Sequence, residues 1–204
     1  MTPEALVRQG SLIPPRTGRI PVVTDLPTIT PDYLQILVVR ELRKAGFDIG
    51  DPRVQRRAEL PEPERGFVVE LVVPLLGVAG VRRALVVCRK QRGAVARDIV
   101  ESAKARLPEA SADAAIIFST AGYAPDALAA AHDAGVALLQ IADGRSVFDA
   151  GGWGDGTADH YPAWLPAHMA QVVDRDAAGQ PRLRVLEAGR PEMILAGMRS
   201  ATHG

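Results

Sequence analysis

Apolar positions along this chain fall into short runs with two different periods. Phe67 to Val73 is an apolar run broken by one charge, Glu70. A second run, Ala84-Leu85-Val86-Val87-Cys88, ends in the cations Arg89, Lys90 and Arg92. The Gly/Pro-bearing connection from Pro74 to Gly80 is short, so the two runs predict antiparallel strands. Ahead of them, Thr30-Pro31-Asp32 combines a hydroxyl cap, a proline for the first turn and an acid near the positive end of the dipole. It predicts a helix to about Ala45, stopped by Gly46. Leu34, Leu37, Val38 and Ala45 share one face of that helix. Glu41 falls in the middle of this face, while Ile36 and Val39 form a second apolar side. Phe47 to Arg65 is irregular, with a short strand near Ile49 or Val54.

The second half of the pattern alternates. Val95, Ile99, Val100, Ala103 and Leu107 predict a helix over Ala94 to Leu107 that Pro108 stops. Ala114 to Phe118 reads as a buried strand, Pro125 to Ala134 as a helix closed by Gly135, and Val136 to Ile141 as another buried strand. Strand, helix, strand in that order implies a parallel pair. After Asp143 the chain turns glycine-rich. Met169–Asp174 and Arg182–Glu187 then predict a β-hairpin, and Pro191 to Ser200 a final helix. The fold class is therefore α/β, a mixed central sheet flanked by helices. The expected divisions are a Pro-rich arm over residues 1–29, a core over 30–144, and a tail of glycine-rich loop and hairpin over 145–204.

Composition changes this picture little. The chain has 204 residues, 47% apolar and 24% charged, with 24 basic and 24 acidic side chains and a net charge of zero. That describes an ordinary globular protein, and any nucleic-acid surface must be a local patch. Cys88 is the single cysteine, which excludes an internal disulfide or a cysteine-rich zinc site. No leader and no membrane-length apolar run is read, so the expected location is the cytoplasm.

Glu70 is the chemical anomaly, because a charge in a buried strand needs a metal or an opposite charge unless the strand has a wet face. Three stretches suggest which applies. They are Leu42-Arg43-Lys44-Ala45-Gly46-Phe47, then Val86-Val87-Cys88-Arg89-Lys90 with Gly93 and Val95, then Ile116 to Tyr123 followed by Ala127 to Ala134, Gly135-Val136 and Leu138-Leu139. Together, over about Pro31 to Gly144, they resemble the Mrr-type restriction endonuclease domain. The resemblance implies hydrolysis of the DNA backbone assisted by Mg²⁺ or Mn²⁺, with an acid on the second strand, an acid or amide on the third, a lysine two residues later and a helical glutamate. Carried onto this chain, these positions are Glu70, Val87, Arg89 and Glu41. Val87 cannot ligate a metal, and Arg89 stays protonated at working pH. Lys90 points to the opposite face from Arg89.

The leading reading is a DNA-binding protein on an endonuclease fold with lost or weakened cleavage, a subunit of a DNA-targeting or defence assembly. In it Glu41, Glu70 and Arg89 pair as a buried ion cluster. Arg82, Arg83, Lys90, Arg92 and Arg97, with Lys104 and Arg106, supply the cations for double-stranded DNA, against Asp98 and Glu101. Arg40, Arg43 and Lys44 form a smaller group. One alternative is an active nuclease in which Glu41 and Glu70 hold the metal. The other is a protein–protein module, homo- or hetero-oligomeric, using the terminal segments. Asp155, Asp159, His160 and His168 are metal-ligand types whose loop spacing fixes no geometry. Ser119 and His132 lack a third partner.

Overall fold

The computed structural model describes residues 28–153, 161–176 and 179–198. Most of the arm, together with Asp155, Asp159 and His160, lies outside the described residues.

Helix α1 spans Pro31–Lys44, and Thr30 caps it by accepting from the Tyr33 N–H at 3.2 Å. Gly46 follows at φ +99°, a conformation that favours glycine. Two strands then share one flank of β3 (Gly66–Leu76): β1 (Asp48–Ile49) pairs with its end and β2 (Arg53–Leu60) with its length, both antiparallel. β4 (Arg83–Lys90) pairs antiparallel with the other flank of β3. Helix α2 (Arg97–Ala105), β5 (Ala114–Ser119), α3 (Pro125–Ala134) and β6 (Val136–Asp143) follow, with β4, β5 and β6 mutually parallel. After α4 (Gly144–Ala150), strands β7 (His168–Arg175) and β8 (Pro181–Val185) continue the sheet antiparallel from β6, and α5 (Glu192–Met198) follows them. Among the described residues the sheet has eight strands in the order β1-β3-β4-β5-β6-β7-β8, with β2 beside β3.

Alternation along the strands sorts the core into two layers. Val69, Leu71, Val73, Val86 and Cys88 face α1 and α5, packing on Leu34, Leu37, Leu42, Met193 and Ile194. Val68, Leu85 and Val87 face the other way, onto Val100 and Ala103 of α2 and Ala127, Leu128 and Ala131 of α3. Tyr123 ties β5 to β6: its hydroxyl lies 2.9 Å from the Ile117 carbonyl and 2.8 Å from that of Leu139, donating to one at a time.

Four local expectations change. The stretch read as irregular with a short strand near Ile49 or Val54 holds strands at both places, and the second, β2, is eight residues long and mostly exposed, with Ala58 and Leu60 packing on the core. Helix α2 starts at Arg97, because Val95 is engaged in a bridge with Tyr123. Residues after Asp143 form α4, whose N-cap is Asp143 accepting from the Arg145 N–H at 2.9 Å. The hairpin does not stand apart as a tail: β7 pairs with β6 from Leu138 to Asp143, so residues beyond 144 extend the sheet itself. No helix among the described residues is long and apolar enough to cross a membrane.

Candidate functional site

Glu70 sits mid-way along β3, opposite Val87 of β4 on one side and Arg56 of β2 on the other. It is 4% exposed, on the layer that faces α2 and α3. Its carboxylate is met by two guanidinium groups. Arg106, just past the end of α2, makes direct ionic contact with Oε2, and Arg56 Nη1 lies 3.7 Å from Oε1. That contact is the main cause raising the already high pKa of Arg106. Val87, where the resemblance places a ligand, is a buried apolar member of this layer.

Arg89 faces the same layer but takes other partners. Its Nε donates to Gln91 Oε1 at 2.6 Å and its Nη2 to Glu64 Oε2 at 2.8 Å. Gln91 is fixed in turn, donating from Nε2 to the Gly93 carbonyl at 2.8 Å. Burial lowers the Arg89 pKa, and the Glu64 charge is the first influence opposing it. The side chain at the position where the resemblance places a lysine is thus held between a loop carboxylate and an amide.

Glu41 lies across the sheet from both. It belongs to α1, on the opposite layer, and is 1% exposed. Arg40 Nη2 donates to its Oε1 at 2.9 Å and Lys44 Nζ to its Oε2 at 2.7 Å. Arg40 also donates to the His168 carbonyl at 3.2 Å, and His168 Nδ1 lies 3.2 Å from the Tyr33 hydroxyl. The expected cluster of Glu41, Glu70 and Arg89 therefore does not form. The sheet separates Glu41 from the other two, and each of the three is neutralised by a different neighbour.

This donor set does not fit Mg²⁺ or Mn²⁺. Such an ion takes a near-octahedral shell of oxygens, of which the protein usually gives at least one or two carboxylates with room for water. Glu70 offers one carboxylate, faces Val87, and already touches two cations. Among the described residues no three His, Cys, Asp or Glu side chains gather as a metal site.

The cations expected to face DNA divide into two groups. Arg82 and Arg83 stand at the start of β4, where their backbone N–H groups donate to Asp113 Oδ2 at 2.8 and 3.0 Å. Lys90 and Arg92 lie at its far end, roughly 20–25 Å away at the rise of a strand. Arg97 opens α2 there, paired with Glu101 at 2.6 Å. Of the smaller group, Arg40 and Lys44 serve Glu41. Cys88 is wholly buried, and burial pushes its thiol far up. Ser119 Oγ accepts from the Ala121 N–H at 3.0 Å as a strand-end turn.

Sequence reasoning did not pair Glu70 with Arg56 or Arg106, nor Arg89 with Glu64. One signal was available for Glu41: a lysine three residues on along the same helix.

A family model described as restriction endonuclease, Mrr_cat, matches residues 26–148. No curated protein and no solved structure matches the chain.

Proposed function

The chain belongs to the Mrr_cat restriction endonuclease family, and from that premise we propose that it binds double-stranded DNA without cleaving it, or with greatly weakened cleavage. One observation carries the reading: the family's second-strand acid, Glu70, is buried and neutralised by Arg106 and Arg56. The position across the ladder offers a valine, and the position of the lysine offers an arginine tied to Glu64 and Gln91. Val87 thus removes one metal ligand and Arg89 keeps a positive charge in place of the lysine, while the two acids that remain, Glu70 and Glu41, are held by cations on opposite layers of the sheet. The cations Lys90, Arg92 and Arg97 at one end of β4 and α2 are the phosphate contacts of this reading, with Arg82 and Arg83 as a separate second group. A subunit of a DNA-targeting or defence assembly, working in the cytoplasm, is the role this suits.

The test is supercoiled plasmid in Mn²⁺ with the wild type beside Glu70→Ala, together with duplex binding across a salt series. Plasmid is expected to stay intact in both lanes. The duplex should be bound without metal, with an affinity that falls by about 0.9 log unit per log unit of salt for each phosphate neutralised. Nicking abolished by Glu70→Ala would restore the nuclease reading. Absence of any duplex binding at low salt would leave an assembly module.

A further inference from the structure

We infer that the protein carries a phosphate-binding pocket at the ends of β3, β4 and β5, on the opposite side of the sheet from Glu70. The inference rests on the DNA-binding reading for its biological ligand but not for its geometry. A cavity of about 540 Å³ opens there. It is lined by Arg65, Lys90 and Arg92, with Thr120, Phe67 and one acid, Glu59. The volume is that of a small-molecule site, and the lining charge is net positive.

The walls are built. Glu59, Phe67 and Lys90 form one row across β2, β3 and β4. Phe67 packs against the layer under α1, so the row faces away from the Glu70 layer. Lys90 Nζ is held at 2.9 Å by the Ile29 carbonyl and sits 5.9 Å from the Phe67 ring centroid, a cation fixed in place. Between these strands Gly66 lets the backbones close up: a Cβ there would stand 1.8 Å from the Lys90 carbonyl oxygen. Thr120 is tied to the rim, its Oγ1 3.4 Å from the Gln91 N–H.

Two features point to a ligand. Arg65, just before β3, has φ +34°, a left-handed backbone in a residue other than glycine. Such outliers are held by their surroundings and gather at binding sites. Its ionic partner is Glu62, and both side chains are 63% exposed, so the pair is weak and open to competition by an anion. The Arg92 guanidinium has no ion-pair partner among the described residues. An anion entering the cavity meets a fixed lysine, a weakly paired arginine, an unpaired arginine and a hydroxyl. These are the donors of a phosphate site, and guanidinium forks suit its geometry. The phosphate could be that of a nucleic-acid strand or of a free nucleotide; the chemistry is shared and the experiment separates them.

The experiment follows backbone amide resonances and binding in the wild type, Arg65→Gly and Arg92→Gln. The probes are inorganic phosphate, AMP, and a duplex with and without a 5′-phosphate. Arg65→Gly relieves the positive φ, so its thermal midpoint should hold or rise while binding falls. For a free-nucleotide site, AMP shifts the amides of residues 65–67, 90–92 and 120, and each variant weakens it about fivefold. For a strand site, duplex affinity falls in each variant and the salt slope drops by about one. Greater loss on the 5′-phosphorylated duplex would mark an end-binding site. Undiminished duplex affinity and slope in both variants, with no amide response to phosphate or AMP, overturns the pocket and leaves DNA binding intact. An AMP response in a protein that binds no duplex keeps the pocket and removes the DNA reading.

Discussion

Removing Arg106 is expected to cost more than removing its partner. Arg106→Met leaves Glu70 charged and 4% exposed with only Arg56 at 3.7 Å. Glu70→Met frees an arginine whose side chain is already 24% exposed and can swing to water. A stranded buried charge costs about 3 kcal/mol and the converse roughly 1 kcal/mol, so the double variant should recover part of the Arg106→Met loss. Urea midpoints of the three variants measure this order; equal losses would contradict it. His168 gives a pH dependence. Burial lowers its pKa below the usual 6.5, with the Asp143 charge opposing and the Arg40 charge assisting. The folded state thus favours the neutral ring. Its contribution is complete above pH about 6.5, where the unfolded chain is also neutral, and is lost as pH falls toward the lower folded value. Between pH 7 and 5 the wild type should lose more thermal stability than His168→Gln. At this scale the sequence showed which side chains were anomalous and not who their partners were. Glu41 and Glu70 stood out because acids interrupt apolar patterns. Arg56 was hidden in a polar strand, and Arg106 lay past a helix end some thirty-six positions from its partner in sequence.

Strand ends and turns set the geometry of the site. Gly66→Ala would drive a Cβ into the Lys90 carbonyl oxygen, backbone against backbone with no side chain to yield. The start of β3 must then separate from the end of β4, at about 2–3 kcal/mol by the usual cost of overpacking. Slowed hydrogen exchange at Phe67 and Lys90 should be lost first, and an unchanged exchange pattern would refute the contact. Most elements were legible because their patterns are local. The capped α1, the closed α3 ending at Gly135 with φ +66°, and the apolar β3 to β6 each declare their own period. Two were legible only in part or not at all. β2 was read as no more than a short strand near Val54, because just Ala58 and Leu60 of its eight residues pack on the core and its register is set by β3. α4 is seven residues long with only Val147 and Phe148 buried among its large side chains, too few to establish a helical repeat.

The whole molecule is larger than its family match. Residues 26–148 cover α1 to β6 and most of α4, yet the layer under α1 also draws on Ala170, Val172, Leu186, Met193 and Ile194. Each large side chain lost from a core removes about 1.5–3 kcal/mol, and together they approach the whole stability of a domain. A fragment of residues 28–148 is therefore expected to lack a cooperative unfolding transition that the full chain shows by circular dichroism. A sharp transition in the fragment would mean that β7 and α5 are accessory. The sequence placed the hairpin correctly but assigned it to a tail, because nothing local to Met169–Asp174 reveals that β6 is its neighbour.

Among the described residues, one edge of this sheet is a strand that carries three arginines, Arg53, Arg56 and Arg57. Among the described residues β2 pairs with β3 alone and breaks register between Val54 and Arg56; Arg56 reaches Glu70, and Arg57 reaches Asp32 of α1. An unpaired strand invites a copy of itself, and like charges with a local bulge are how such an invitation is refused. Arg56 thus serves two ends at once. On one face it helps keep Glu70 tolerable inside the protein, and along the edge its charge and the bulge beside it disfavour the addition of a further strand.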